Sequence, residues 1–219
     1  MPLNFTGFVI VKSMNEISHI FTFLDYAGTF VFAATGAFAA AKKKHDIIAF
    51  CFFAAITGVG GGTLRDLLIG APVFWINQPA YIAISIFAAC FVWVLGRVVW
   101  KFDILLWLDA IGLAAFCVVG ANKAMSFGVS PLNCIIMGII SAVVGGIIRD
   151  VLANQQNMLL RREIYITAAL VGASSFVILS VFNIGFWISA IIAFTLALSL
   201  RAAAIIYGLT LPGFNKRVE

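Results

Sequence analysis

Thr57-Gly58-Val59-Gly60-Gly61-Gly62-Thr63-Leu64-Arg65-Asp66 sets three consecutive glycines and two adjacent opposite charges inside an otherwise apolar run. Its core, Gly61-Gly62-x-x-Arg65-Asp66, returns 84 residues later as Gly145-Gly146-x-x-Arg149-Asp150. Upstream of each copy lies D-x-x-G-x7-G: Asp25, Gly28 and Gly36 in the first, Asp109, Gly112 and Gly120 in the second, again 84 apart with no gap. A repeat held at one offset fixes the architecture on which every site must be placed.

The surrounding composition says where such a repeat lives. Of 219 residues, 63% are hydrophobic and 11% charged, and the mean hydropathy is +1.10. Ordinary soluble domains are nearer half apolar. A transmembrane helix needs about 20 mostly apolar residues, and the chain offers seven such runs, at 20–41, 47–69, 80–99, 104–124, 132–153, 164–182 and 184–207. The last two meet at Phe182, Asn183 and Ile184. Stretches such as Ile82 to Val94 are apolar all round, which excludes the alternating pattern of a membrane β-barrel. Expected, then, is an all-α integral membrane protein of seven helices. Residues 1–19 are too polar for a secretory signal and read as a tail or interfacial segment.

Three helices per repeat is an odd number, so the second copy enters the membrane from the opposite face. The expected units are repeat 1 over 20–103, repeat 2 over 104–182, a seventh helix over 183–207 and a C-terminal tail over 208–219. Alternating spans put Lys42, Lys43, Lys44, Arg97, Lys101, Arg161, Arg162, Arg201, Lys216 and Arg217 on one side, and only Lys12 and Lys123 on the other. The positive-inside rule makes the first side cytoplasmic and leaves the N-terminus outside. The formal charge of +5 therefore reflects topology and not a nucleic-acid partner.

Inverted repeats place their sites at the repeat interface, on helices interrupted by glycine or proline. Glycine costs about 1 kcal/mol relative to alanine inside a helix, so Gly58, Gly60, Gly61 and Gly62, and Gly145 and Gly146, predict a kink or local unwinding in the second helix of each repeat. Close packing through small residues is the competing account, and Gly58 and Gly62 have its spacing. Thr57 and Ser141 set a hydroxyl at the same point of each helix, either to meet a freed carbonyl or an ion, or to bond back to their own helix.

Charges within a span are costly and seek partners. Neighbours on a helix do not face each other, so Arg65 and Asp66 are expected to pair elsewhere. Depth matches Asp25 with Arg65 toward the outer face and Asp109 with Arg149 toward the cytoplasmic one. A stripe of Asp25, Gly28, Thr35 and Gly36, matched by Asp109, Gly112, Val119, Gly120 and Lys123, lies on one face of each first helix.

Signals for enzyme chemistry are missing. No strand precedes the glycine run and no Gly-Lys-Ser/Thr follows it. There is no His-Glu-x-x-His, Cys-x-x-Cys or Gly-x-Ser-x-Gly. Cys51, Cys90, Cys117 and Cys134 read as small buried hydrophobes, and His19 and His45 as residues of segment ends. Trp75, Trp100 and Trp107 stand where interfacial anchors belong. No enzyme, metal centre or cofactor is expected.

With these residues in view, the doubled signature and seven spans resemble the prokaryotic branch of the trimeric intracellular cation channel family, over about residues 20–207. The resemblance implies a homotrimer in the inner membrane. Each protomer would have its own pore, lined by the first two helices of both repeats and passing monovalent cations, potassium foremost and sodium possible, with lipid around it. It implies pore and gating roles for Gly60, Gly61, Gly62, Arg65 and Asp66, and for Gly145, Gly146, Arg149 and Asp150. Val143 and Val144 depart from the glycine-rich pattern of the first half. An arginine in a cation route must be neutralised, as by Asp25 and Asp109; otherwise it marks an anionic or zwitterionic solute, and relatives described as glycine transporters supply that alternative.

Overall fold

The computed structural model describes residues 5–95, 102–155 and 164–210, with side chains from 22–95, 104–155 and 164–210. Eight helices are described: α1 (Phe5–Lys42), α2 (Ile47–Leu68), α3 (Phe74–Asn77), α4 (Ala80–Leu95), α5 (Phe102–Ser126), α6 (Pro131–Leu152), α7 (Ile166–Val181) and α8 (Phe186–Tyr207). Five of these, Thr22–Lys42 of α1 and α2, α5, α6 and α8 in most or all of their length, are long and apolar enough to cross a membrane. Helices α4 and α7 are apolar with 16 residues each. The end of the expected third span, together with Trp100, falls outside the described residues. Residues 5–19, expected as a tail or interfacial segment, are helical and continuous with the rest of α1.

The repeat is visible in how helices stop. Lys44 ends α1 with φ 56° and Gly128 ends α5 with φ 73°, and these positions are 84 apart. The next amide bonds back across the turn in both, His45 N to Ala40 O and Val129 N to Ala124 O. Gly70 and Asn154, also 84 apart, do the same for α2 and α6, where Ala71 N reaches Asp66 O and Gln155 N reaches Asp150 O. Such left-handed caps satisfy carbonyls that a helix end would leave orphaned. Starts correspond as well. Asp46 caps α2 by accepting from Ala49 N at 2.8 Å, and Ser130 with Pro131 begins α6.

Packing follows the same two-fold plan. Helices α1, α2 and α4 pack on one another as α5, α6 and α7 do, and the halves meet through α1 against α5 and α2 against α6. At the first junction Gly28 lies against the Phe116 ring and Gly112 against the Phe32 ring. The two rings, 84 residues apart, have centroids separated by 5.2 Å. Helix α8 packs on α5 and α7. Buried Ala33, Ala34, Ala37 and Ala40 let the helices around α1 come close, while the outside carries Ile48, Leu67, Leu132, Ile191 and Val94, the last 84% exposed. That surface suits hydrocarbon rather than water. Cys117 and Cys134 are buried as expected; Cys51 is half-buried against the core and Cys90 is exposed.

Candidate functional site

The glycine-rich segments do not unwind. The backbone is helical from Ile47 to Leu68 and from Pro131 to Leu152, so of the kink or local unwinding expected there the unwinding is absent. What the glycines provide is approach: a Cβ on Gly61 would strike the carbonyl of Ser141, and one on Gly145 would lie 2.5 Å from the carbonyl oxygen of Thr57. With 57 beside 145 and 61 beside 141, α2 and α6 cross antiparallel about Val59 and Val143. Packing of this closeness outweighs the helix propensity lost at glycine. Gly36 and Gly120 bring the first helices in the same way, Gly36 onto Phe53 and Thr57, Gly120 onto Ser141. Gly58 fits against Ala33 and Ser85, and Gly60 against the tip of Ile148.

Arg65 and Arg149 each lie six residues beyond the crossing. At 1.5 Å per residue that sets them about 9 Å to opposite sides of it. Both are buried, with side-chain exposures of 3% and 0%.

Around Arg149 the network is dense. Its Nη1 donates to Asp109 Oδ1 at 2.8 Å and to Thr35 Oγ1 at 2.9 Å, and its Nε donates to Asp150 Oδ1 at 2.9 Å. The pairing of Asp109 with Arg149 is thus present. Gly146 leaves the room: a Cβ there would be 2.8 Å from Tyr165 Oη and 3.5 Å from both Arg149 Nη2 and Asp109 Oδ1. Tyr165 Oη and Asp109 Oδ2 have no hydrogen-bond partner among the described residues. Over the Tyr165 ring sits the Arg201 guanidinium, 5.2 Å from the centroid.

Around Arg65 the partners differ. Arg65 contacts Asp66 Oδ1 from Nε at 2.9 Å and from Nη2 at 2.8 Å. Asp66 Oδ2 accepts from Lys123 Nζ at 2.8 Å and from the Phe74 backbone N–H at 3.0 Å. Asp25 does not pair with Arg65. It accepts from the Tyr81 hydroxyl at 2.6 Å, and Tyr81 packs edge-on against Phe74 with centroids 4.5 Å apart. Phe74 fills the space over Gly62 and lies under both cations, 5.9 Å from Arg65 and 5.4 Å from Lys123.

Several expectations are therefore revised. Arg65 and Asp66 bond as sequence neighbours, and so do Arg149 and Asp150, because a long guanidinium folds back across its own helix where a short side chain could not. Ser141 bonds back to Met137 O at 2.8 Å, whereas Thr57 Oγ1 is buried without a partner among the described residues. Trp75, expected as an interfacial anchor, donates from Nε1 to Thr63 Oγ1 at 2.9 Å. Arg201, counted with the basic residues of one side, is wholly buried on α8. Lys123, counted on the other side, forms an ion pair with Asp66. Tyr81, Phe74 and Tyr165 had no part in the sequence reading. Tyr81 and Tyr165 are 84 apart, so the repeat offset itself was the signal that could have found them.

Helices of membrane-spanning length, an apolar exterior and two antiparallel copies of one three-helix unit define an all-α bundle of inverted repeats. Known proteins give the class a family. A family model described as glycine transporter matches twice, over residues 22–97 and 106–181, two segments 84 apart. The inner membrane protein YadS of Escherichia coli K12 is 37% identical over 201 residues, covering 87% of this chain and 94% of that one. Among solved structures, the trimeric intracellular cation channel orthologue from Rhodobacter sphaeroides is 43% identical with a TM-score of 0.84, over 87% of this chain and 99% of its own. A second structure, from work on conductance through these cation channels, is 34% identical with a TM-score of 0.80, over 91% and 98%. The chain belongs to this family, the prokaryotic trimeric intracellular cation channels.

Proposed function

We propose that the chain is a passive channel for monovalent cations, potassium foremost, in the inner membrane. It works as a homotrimer of seven-span protomers, N-terminus outside, each with a pathway lined by α1, α2, α5 and α6. The observation that carries this is likeness over nearly the whole of both chains to structures described as cation channels. The crossing of α2 and α6 is the waist of the route, with Thr57 and Ser141 as its hydroxyls and the clusters around Arg65 and Arg149 on either side.

The clusters answer the objection that arginine repels a cation. Asp25 and Asp66 offset Arg65 and Lys123; Asp109 and Asp150 offset Arg149 and Arg201. Among the described residues each cluster carries no net formal charge, so a cation passes a neutral polar wall instead of an unpaired guanidinium. The carrier alternative rests on the family model's description and on the adjacent Arg and Asp of each signature.

Recording from the purified full-length chain in a planar bilayer under a KCl gradient tests the proposal. Unitary currents that reverse toward the potassium potential are expected. Saturable glycine uptake into proteoliposomes without unitary events would replace the channel with a carrier, and reversal toward the chloride potential would end the cation reading.

A further inference from the structure

Helix α8 lies outside the repeats, yet it brings a wholly buried arginine to the second half. A charge within a span is costly and persists where something uses it. The approach is built: a Cβ on Gly172 of α7 would be 2.8 Å from Ala197 Cβ, so α8 presses close one turn before Arg201. From there the guanidinium rests on the Tyr165 ring, and the hydroxyl at the far end of that ring stands over Gly146 beside Arg149 and Asp109. One aromatic ring thus links Arg201 to the Arg149 cluster.

The first half shows what the ring would do alone. There Tyr81 turns its hydroxyl onto Asp25 at 2.6 Å, and a second cation, Lys123, reaches Asp66 directly. In the second half Tyr165 makes no such bond, and Asp109 Oδ2 and Tyr165 Oη stay unpartnered among the described residues. Residue 207, which is where an 84-residue offset from Lys123 falls, is a tyrosine at the exposed end of α8, so the repeat itself supplies no matching cation.

We infer that Arg201 is a positioning residue of the second half: by cation–π contact it holds Tyr165 off Asp109, and it provides the positive charge that Lys123 provides in the first half. It therefore sets the charge that a permeating ion meets on one side of the waist only. This last step rests on the channel reading; the electrostatic coupling does not.

The test is a pair of double-mutant cycles in the full-length chain, Arg201→Gln with Asp109→Asn and, as control, Arg201→Gln with Asp25→Asn. Thermal unfolding in detergent and bilayer current–voltage curves are both recorded. Arg201→Gln should lower the unfolding midpoint and make the currents rectify, since at an effective dielectric near 20 a unit charge about 10 Å away alters cation occupancy roughly tenfold. Arg201→Lys should restore symmetric currents. Adding Asp109→Asn should return part of the lost midpoint, whereas adding Asp25→Asn should only sum. Additivity with Asp109→Asn, equal coupling to Asp25→Asn, or Arg201→Lys behaving as Arg201→Gln would each overturn the inference. If the wild type carries no unitary current while the unfolding cycle still couples to Asp109, the channel reading fails and the inference stands. If Arg201→Gln does not accumulate as folded protein, recovery of folding by Asp109→Asn supports the inference, and no recovery overturns it.

Discussion

The halves around Arg65 and Arg149 are built from one signature, yet they hold their arginines differently. Arg149 is fully enclosed and touches Asp109, Asp150 and Thr35. Arg65 is bound to Asp66 alone among the described carboxylates, while Asp25 turns to Tyr81. Residues outside the signature make the difference. Lys123 of the second repeat shares Asp66 in the first, and Thr35 of the first repeat bonds Arg149 in the second; their counterparts, Ala39 and Val119, can do neither. A repeated motif thus fixes where a side chain starts, and the unrepeated residues decide where it ends.

The sharpest way to break the comparison is to remove each arginine. Arg149→Met removes the guanidinium that Asp109 and Asp150 share and should cost about 3–5 kcal/mol, read as loss of folded protein in detergent. Arg65→Gln should cost less, about 1–2 kcal/mol, because Asp66 keeps Lys123 and the Phe74 amide. Equal losses at the two positions would erase the distinction between the halves.

Between these effects falls the crossing. Gly61→Ala pushes a methyl into the Ser141 carbonyl and should cost about 2–3 kcal/mol, with altered conduction. Gly60→Ala meets only the movable tip of Ile148 and should be nearly silent, so thermal shifts of the two variants separate close approach from glycine content. Lys123→Gln should cost less than about 1 kcal/mol, since its side chain is 26% exposed and partly screened. Smallest of all, Thr57→Val replaces an unpartnered hydroxyl by a methyl of similar size and should change stability by under about 0.5 kcal/mol in either direction. A large loss there would reveal a bond that Thr57 makes in the membrane.

Much of this was legible in the sequence because it is periodic. The 84-residue offset located the antiparallel halves, their glycines and their buried charges, and spans of apolar residues located the long helices. What escaped depends on three-dimensional distance. Glycine propensity alone argued for a kink or unwinding at Gly60 to Gly62, but at Gly61 the carbonyl of Ser141 sits where a side chain would be, and no reading of α2 by itself contains that fact. Depth put Asp25 level with Arg65, yet level is not contact, and Tyr81 arrives first. The rule that neighbours diverge on a helix holds for Cβ directions and fails for a guanidinium several bonds farther out. Arg201 and Lys123 enter the charge count of the two membrane sides because a basic residue near the end of an apolar run looks the same whether it leaves the bundle or turns into it.

The bond from Lys123 to Asp66 also bears on biosynthesis. Its partners are 57 residues apart, so Asp66 leaves the ribosome well before the residue that neutralises it. Synthesis of the first three-helix unit therefore precedes completion of its own charged cluster, and a nascent chain stopped before α5 would hold Asp66 with Arg65 but without its lysine. Assembly of the first half is in this sense finished by the second, which makes the order of synthesis part of the folding problem.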